Sequence, residues 1–338
     1  MVAEGDRSPD GIRSRLRTAP THVEWLIIGS IVIILVASMG YSGHGIDWEI
    51  FAGAADGSFT SDRGLSYYYA YWLLPIFDLY AIPGVAVGGL LWALTNMGGV
   101  WFAARVFGAR SAVVLAGFGT LSGFYTGTIT GIALAAIAGV WWAAHEKRWD
   151  VVGALSLLAV AKPQWGVPMV IMIVLHARPP WRAWVRMAWA PLLVALGSFA
   201  YYGWWPSEVI TRAQDAPPEG NGSLWFFLGP AVLVLWLPLA LPMDARRRLA
   251  LVAATSLMAL PYAQQYDYVV LWVLAGDGIG LLSHFHGLLS TTFGREGARG
   301  FQTVMPLAMY AILAASPIQT FLKARKPFGS GGRLEQPA

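Results

Sequence analysis

Two carboxylates stand where the chain leaves a long apolar run. Asp47 and Glu49 lie in the stretch GHGIDWEIF (43–51), soon after the apolar run 25–39. A carboxylate placed here can act as general base on an acceptor hydroxyl, and a water-poor surrounding raises its pKa toward a useful value. A solvated loop carboxylate is the competing interpretation. Because helical residues two apart point in different directions, a joint acid–base pair of Asp47 and Glu49 is not expected.

A lysine embedded in apolar sequence is the second candidate. Lys162 lies in AVAKPQW (159–165), and the proline after it interrupts a helix. A charged side chain in such a setting is costly and tends to have a partner or a function. Its ammonium donates three hydrogen bonds and suits a phosphate, whereas the alternative is that it snorkels to the membrane interface. Its place against the local Lys/Arg bias favours the functional interpretation.

Two polar stretches between apolar runs add further candidates. In GFYTGTITG (123–131), small residues allow close helix packing, and the hydroxyls can also contact a headgroup. In LPYAQQYDYVVL (260–271), Gln264 and Gln265 can hydrogen-bond sugar hydroxyls. Asp267 in the same stretch either caps a helix N-terminus, where the helix dipole favours a negative charge, or belongs to a site. The sequence leaves both interpretations of Asp267 open.

Asp277, deeper in the following apolar segment, suggests a different function. An acid within a membrane-spanning segment can relay protons in a transporter. A transporter or lipid flippase that uses Asp277 and Lys162 is therefore the alternative hypothesis. His284 and His286 lie nearby, but no third ligand accompanies them, so we expect no metal site.

The composition indicates a polytopic membrane protein. Charged residues make up 12% of 338, against roughly 25% in soluble domains, and the mean hydropathy is +0.53. The absence of cysteine excludes disulfides and thiolate chemistry. The net charge of +4 is small and its basic residues lie mainly in short loops. That distribution indicates topology rather than nucleic-acid binding.

We predict an all-α transmembrane bundle of about 10–11 spans, with ten or twelve left open. A spanning helix needs about 20 apolar residues. The predicted segments are 23–40, 84–104, 111–125, 128–145, 150–161, 165–177, 187–205, 225–242, 249–262, 268–284 and 301–318. Basic residues mark the cytoplasmic turns: Arg105, Arg110, Lys147, Arg148, Arg178, Arg182, Arg186, Arg246, Arg247, Arg248, Arg295 and Arg299.

Three regions follow from this topology. Residues 1–22 are predicted to form a cytoplasmic N-terminal tail, 23–320 the transmembrane domain, and 321–338 a disordered tail. The first outer loop, 41–83, is rich in aromatic residues, including the run SYYYAYW (66–72). We expect this loop to fold as short interfacial helices on the bundle.

In order along the chain, these segments resemble a known enzyme family. The matching pieces are Asp47 in D-x-x-x-F-A-x-A-A-x-G, the aromatic run before Pro75, Tyr125-Thr126-Gly127, the stretch 146–164 ending in KPQ, and P-Y-x-x-x-Y-D over 261–267. They span about 45 to 275, and the segment ending in KPQ is the most specific. The chain resembles glycosyltransferase family 87 of the GT-C membrane glycosyltransferases, which includes polyprenol-phosphate-mannose-dependent α-(1→2)-mannosyltransferases.

The resemblance implies a GT-C-like fold and a transferase in the plasma membrane. Its donor would be a sugar, mannose by analogy, carried on a polyprenyl phosphate, and its acceptor a lipid or glycan on the extracytoplasmic face. Asp47 matches the family's proposed catalytic base, and Lys162 matches a lysine expected near the donor phosphate. The remaining substrate-binding candidates are Glu49, Tyr69, Thr128, Gln164, Gln264 and Asp267. The lipid-linked donor is a substrate, so no cofactor and no metal are expected, and the partners are lipids rather than nucleic acid.

Overall fold

The computed structural model describes residues 9–42, 45–60, 66–214, 223–260 and 263–324. Helix accounts for 82% of the structure, and the described ranges contain no strand. Their one extended pairing is an isolated bridge between Thr60 and Ser66. The predicted all-α class is confirmed. The predicted disordered tail lies almost wholly outside the described residues, and so does His44.

Sixteen α-helices and four 3₁₀-helices follow one another in these ranges. The α-helices are α1 Pro9–Arg17, α2 His22–Ser42, α3 Ile46–Ala55, α4 Leu74–Ala81, α5 Val85–Phe107, α6 Ser111–Ala116, α7 Phe118–Thr126, α8 Thr130–His145, α9 Trp149–Ala159, α10 Pro163–Ala177, α11 Trp181–Tyr202, α12 Pro206–Gln214, α13 Trp225–Leu228, α14 Ala245–Ala259, α15 Val269–Leu274 and α16 His284–Ala324. The 3₁₀-helices are Tyr71–Leu73, Gly229–Ala240, Gln265–Tyr268 and Ile279–Ser283.

Two to four of these elements are long and apolar enough to cross a membrane. Helices α5 and α11 qualify singly. Two bent pairs qualify when each is counted as one span: α1 with α2, bent by 64°, and α7 with α8, bent by 114°. Helices α9 and α10, the 3₁₀-helix at 229–240 and part of α16 are apolar but shorter. The protein is thus a helical membrane protein by composition and length, and the count of 10–11 spans stays a prediction.

Several predicted spans differ from the observed helices. The segment 268–284 is not one helix, because α15 ends at Leu274 and a 3₁₀-helix begins at Ile279. Gly276 and Gly278 lie in this break, where glycine weakens helical propensity. The segment 225–242 is mostly 3₁₀ rather than α. In the predicted N-terminal tail, α1 packs Ile12 into the core.

The helices enclose two apolar cores. The larger lies among α5, α8, α9, α10 and α14 and contains many alanines, which let helices approach closely. The smaller lies under the first loop, where the short helices α3 and α4 bring aromatic side chains against α5. Phe51 stacks on Phe77 at 4.4 Å, and both contact Trp92. In the described parts of the first loop, α3 and α4 therefore form a packed aromatic cap, and its interfacial position stays a prediction.

The chain direction gives the bundle two chemically different ends. Helix α8 begins at Thr130 and runs toward Lys147, α9 returns toward Lys162, and α10 runs away again to Arg178. Thr130 and Lys162 therefore lie at one end, called the site end below. Lys147 and Arg178 lie at the other, called the basic end. The cap of α3 and α4 covers the site end, with Ile129 and Ala161 in its core.

Candidate active site

The start of α3 is fixed against the turn between α7 and α8. Gly127 in this turn has φ of +77°, a backbone conformation that favours glycine. A Cβ at Gly127 would lie 2.7 Å from Trp48 Cβ, and a Cβ at Gly45 would clash with the Tyr125 carbonyl oxygen. Glycine at both positions lets the two backbones touch. This close approach sets Asp47 beside the turn.

Two tryptophans fix the contact between the start of α3 and the turn between α7 and α8. Trp48 is buried; its Nε1 donates to the Val85 carbonyl at 2.8 Å, and its ring stacks on Trp92 at 5.8 Å. Trp92 Nε1 in turn donates to the Gly127 carbonyl at 2.7 Å. Both indole N–H groups are therefore satisfied within the protein. The residue before Trp48 is the carboxylate of the site, so this packing fixes its direction.

A buried ion pair lies next to this junction. Lys162 is 1% exposed and Asp267 is 0% exposed, with Nζ 3.4 Å from Oδ1. The ammonium also lies 4.8 Å from the Tyr266 ring centroid and 5.8 Å from that of Tyr69. Nζ has no hydrogen-bond acceptor among the described residues. Lys162 is therefore partnered electrostatically, while its N–H donors stay available to an anion.

Asp267 both caps a helix and belongs to the site. Its Oδ2 accepts from the Gln264 backbone N–H at 3.1 Å, which forms a capping box at the 3₁₀-helix 265–268. Its Oδ1 accepts from Thr130 Oγ1 at 3.1 Å and from Trp165 Nε1 at 3.4 Å. The capping interpretation is confirmed. The same side chain also pairs with Lys162, so the two interpretations do not exclude each other.

Asp47 completes the cluster. Burial raises the pKa of Asp47 to about 6; the charge of Lys162 opposes this rise and the charge of Asp267 adds to it. The hydroxyls of Thr128 and Tyr266 interact with the carboxylate and also oppose the rise. The residue is half-buried, yet its Oδ2 is shielded from solvent and has no hydrogen-bond partner in the described ranges. One carboxylate oxygen is thus free to take a proton.

Of the other predicted site residues, some contact this cluster and others only lie near it. Thr128 is buried, with its Oγ1 3.1 Å from that of Thr130, and thereby links Asp47 to Asp267. Gln264 donates its backbone N–H to Asp267, and its side chain accepts from the Asp267 backbone N–H. Glu49 is half-buried in the same turn of α3 as Asp47. Gln164 is half-buried in the first turn of α10 and makes no side-chain hydrogen bond within the described part of the chain.

Three residues of the cluster were not among the predicted site residues. Thr130, Trp165 and Tyr266 all contact the charged groups. Trp165 follows Lys162 by three positions, a spacing that places both on one face of a helical turn. Thr130 and Tyr266 lie beside predicted positions in the polar stretches. These spacings were signals in the sequence, but aromatic and threonine side chains are too common in membrane helices to be selected by spacing alone.

Asp277 is held in a separate ion pair at the basic end. Arg110 donates through Nε to Oδ2 at 2.9 Å and through a terminal nitrogen to Oδ1 at 3.3 Å. The Arg110 side chain is 70% exposed and that of Asp277 24%. Asp277 lies in the break after α15 rather than inside a span. Lys162 and Asp277 therefore belong to different ion pairs at opposite ends of the bundle.

The chemistry that this cluster can perform follows from its own residues, because no known protein resembles the chain closely enough to indicate it. No protein-family model matches the chain, and neither a curated protein nor a solved structure does. In the described ranges, no group of three or more His, Asp or Glu side chains is arranged to hold a metal ion. What the site end offers is a carboxylate of raised pKa, a buried ammonium with free donors, and hydroxyl and aromatic groups around them.

Proposed function

We propose that this protein is an integral-membrane glycosyltransferase. It moves a sugar, mannose in the first instance, from a polyprenyl-phosphate donor to a lipid or glycan acceptor. The observation that carries the proposal is the arrangement of Asp47 and Lys162. A carboxylate with a free, shielded oxygen and a pKa near 6 lies close enough to a buried ammonium for their charges to interact. That combination suits proton removal and stabilisation of an anionic leaving group in one reaction.

In the proposed reaction Asp47 takes the proton of the acceptor hydroxyl. The acceptor oxygen forms a bond to the anomeric carbon as the bond from that carbon to the donor phosphate oxygen breaks. The bonding electrons leave with the polyprenyl phosphate. Lys162 donates hydrogen bonds to this phosphate, which offsets the cost of a buried ammonium without acceptors. Asp267 holds Lys162 in position.

The surrounding side chains are proposed to position sugar and acceptor. Tyr69 offers an aromatic face over the ammonium, and Thr128 offers a hydroxyl next to the base. Sugars bind to such faces through their C–H groups and to polar groups through their hydroxyls. Glu49, Gln164 and Gln264 lie in the first turns of the elements that carry the site and are the further contacts we propose.

The two ends of the bundle indicate how the protein is oriented in the membrane in this proposal. Lys and Arg in short loops mark the cytoplasmic side of a membrane protein. The basic end is then cytoplasmic, and the site end faces outward in the plasma membrane, under the interfacial cap of α3 and α4. The donor's chain stays in lipid while its phosphate reaches the interface. A GT-C-like bundle of about 10–11 spans, including the shorter apolar helices, is part of this proposal.

The transporter or flippase hypothesis draws less support from the geometry. It needs Lys162 and Asp277 as members of one charge pathway. Lys162 pairs with buried Asp267, and Asp277 pairs with exposed Arg110 at the other end. A pathway through the bundle needs charged groups between the ends. This separation favours chemistry at one end over transport between the two.

The proposal is tested by transfer of radiolabelled mannose from polyprenyl-phosphate-mannose to membrane lipid acceptors. Purified wild-type protein and Asp47→Asn are compared in the same detergent. We expect the variant to lose a factor of about 10²–10⁴, the usual contribution of general acid–base catalysis. Asp56→Asn is the matched control, because Asp56 ends the same helix and is exposed.

The outcome separates the reaction class from the role of the base. Transfer by wild type and Asp56→Asn but not by Asp47→Asn supports both. Full transfer by Asp47→Asn contradicts the role of Asp47 as base. If no protein transfers mannose, other polyprenyl-phosphate sugars are tried, and failure with all of them contradicts the transferase.

A further inference from the structure

A cavity lies away from Asp47, toward the basic end. It has a volume of about 700 Å³ and lies between α10, the 3₁₀-helix 229–240 and α14. Most of its wall is apolar. On α10 the lining residues Pro168, Ile171 and Leu175 recur at intervals of three and four, so they form one stripe along the helix. Ile171 and Leu175 are exposed, and no described element covers them.

The far end of this cavity is cationic. Arg178, Arg248 and His176 line it, and the two arginines lie close enough to His176 to act on it electrostatically. No acidic side chain is among the lining residues. Arg248 donates one bond to the Leu241 carbonyl at 3.2 Å, while its Nε is buried without a partner in the described ranges. Two guanidinium groups in a cavity whose described lining contains no carboxylate favour an anion here.

The backbone conformation of Arg178 ends α10 at the mouth of the cavity. Arg178 ends α10 with φ of +48°, a left-handed conformation that usually selects glycine. A residue with a Cβ is strained in that conformation. Local strain of this kind persists where the surrounding structure or a function maintains it. In Arg178 this conformation ends the helix and leaves the side chain lining the cavity.

The length of the cavity identifies the kind of anion. From Pro168 to Arg178 a helix rises by about 15 Å, at 1.5 Å per residue. That is about half of a hydrocarbon core roughly 30 Å thick, or one leaflet. A soluble phosphate would use the cationic end and leave the apolar stripe uncovered. A lipid of the basic-end leaflet would cover the stripe with an acyl chain and bring its phosphate to the arginines.

We propose that this cavity is a binding site for one anionic phospholipid. An acyl chain lies along Ile171 and Leu175, and the phosphate lies between Arg178 and Arg248. The site is separate from the proposed transferase chemistry, because α10 begins at the Lys162 end and the cavity follows its other half. It gives the protein a preferred lipid in the leaflet opposite to its proposed donor.

Native mass spectrometry of the purified protein with phosphatidylglycerol or phosphatidylcholine of equal chain length tests the site. We expect one phosphatidylglycerol to be retained in preference to phosphatidylcholine. Each basic residue near a membrane surface contributes about 1 kcal/mol, so Arg178→Gln weakens binding about fivefold and Arg178→Gln with Arg248→Gln about 30-fold. Arg182→Gln is the matched control: Arg182 is exposed, lies four residues beyond Arg178 and does not line the cavity.

A second variant probes the apolar half without touching charge. Leu175→Trp adds bulk to an exposed position of the stripe, so the fold tolerates it while the acyl chain loses room. We expect it to weaken phosphatidylglycerol binding with both arginines in place, and we expect soluble glycerol phosphate not to displace the lipid. Equal retention of both lipids overturns the proposal. The proposal is also overturned if Arg182→Gln weakens phosphatidylglycerol binding as much as Arg178→Gln does. It is overturned as well if glycerol phosphate displaces the lipid and Leu175→Trp leaves binding unchanged.

Discussion

The two ends of the bundle each contain an ion pair, and the two pairs differ in almost every physical respect. Lys162 and Asp267 are at most 1% exposed, and aromatic rings and hydroxyls surround them. Arg110 and Asp277 form a shorter, multiply hydrogen-bonded pair, but the arginine is 70% exposed. The pair with the better geometry is thus the exposed one, and the pair with the looser geometry is the buried one.

This difference indicates what each pair does. A solvated pair with good geometry ties the α5–α6 turn to the break after α15 and contributes little to stability, since water competes for both charges. A buried pair pays a desolvation penalty that a 3.4 Å contact offsets only in part. The site end maintains charges at an energetic cost, which is the usual condition of a chemical site rather than of a structural brace.

The largest expected effect is on sugar transfer, which should depend on the carboxylate at the site end and not on the one at the basic end. Asp47→Asn should lower sugar transfer by a factor of about 10²–10⁴, because the acceptor proton loses its base. Asp277→Asn should leave transfer close to wild type, because Asp277 lies at the opposite end in a separate pair. The radiolabelled-mannose assay measures both. A loss in Asp277→Asn equal to that in Asp47→Asn would return the transporter hypothesis to first place.

The next largest effect is expected on stability, where changes to the buried ion pair at the site end should lower the free energy of unfolding. Asp267→Asn removes the counter-charge nearest to buried Lys162 and leaves only the charge of Asp47 to interact with it, so the free energy of unfolding should fall by up to about 3–5 kcal/mol. Replacing both partners, with Lys162→Met and Asp267→Leu, should recover most of that loss while activity stays absent. Unfolding in detergent, followed by circular dichroism, measures the three proteins. A double variant no more stable than Asp267→Asn would show that the cap and the Thr130 bond, rather than the charges, carry the effect.

The pH dependence of transfer sharpens the assignment within the site end. Asp47 must be ionised to accept a proton, so activity should rise with pH through about 6. The charge of Lys162 lowers the pKa of Asp47, so Lys162→Gln should move this acid limb to higher pH. The charge of Asp267 raises it, so Asp267→Asn should move the limb to lower pH. Residual activities suffice for the profile, and shifts in one common direction would contradict the cluster.

The smallest effect is expected at the basic end. Arg110→Gln removes the ion pair with Asp277, but the arginine is exposed and water replaces its partner. The melting temperature in detergent should therefore stay within experimental scatter of wild type, and added salt should change nothing further. A clear drop in melting temperature would mean that the basic end also depends on its charges, and the comparison between the ends would lose its force.

Helical segments were easier to predict than their function as spans. Apolar runs such as 128–145 correspond closely to helices such as α8, because local hydrophobicity and helix propensity act over the same residues. The segment 268–284 was predicted as one helix and is broken after Leu274. Its glycines were visible in the sequence. Whether a glycine breaks a helix depends on the packing around it, and local sequence does not carry that information.

The same division applies to the site. Lys162 was singled out as a charge in apolar sequence, and that reasoning needs no tertiary information because burying a charge is costly in any fold. Asp47 and Asp267 were singled out by their positions beside apolar runs and by the family resemblance. Trp165 and Tyr266 were not singled out, although they contact the same charges. Their chemistry is that of any membrane-interface aromatic residue. Only the approach of distant segments distinguishes them from their neighbours.

The sequence alone determined that this chain is helical and apolar, that its basic residues gather in one set of turns, and that three charges stand apart from them. The tertiary structure decided which charges meet. Asp267 pairs with Lys162, 105 positions away, and Arg110 pairs with Asp277, 167 positions away. The physical reason is the distance along the chain over which each effect acts. Hydrophobicity and propensity act on neighbouring residues, whereas an ion pair depends on how whole helices pack, and the same charges could pair differently in another packing.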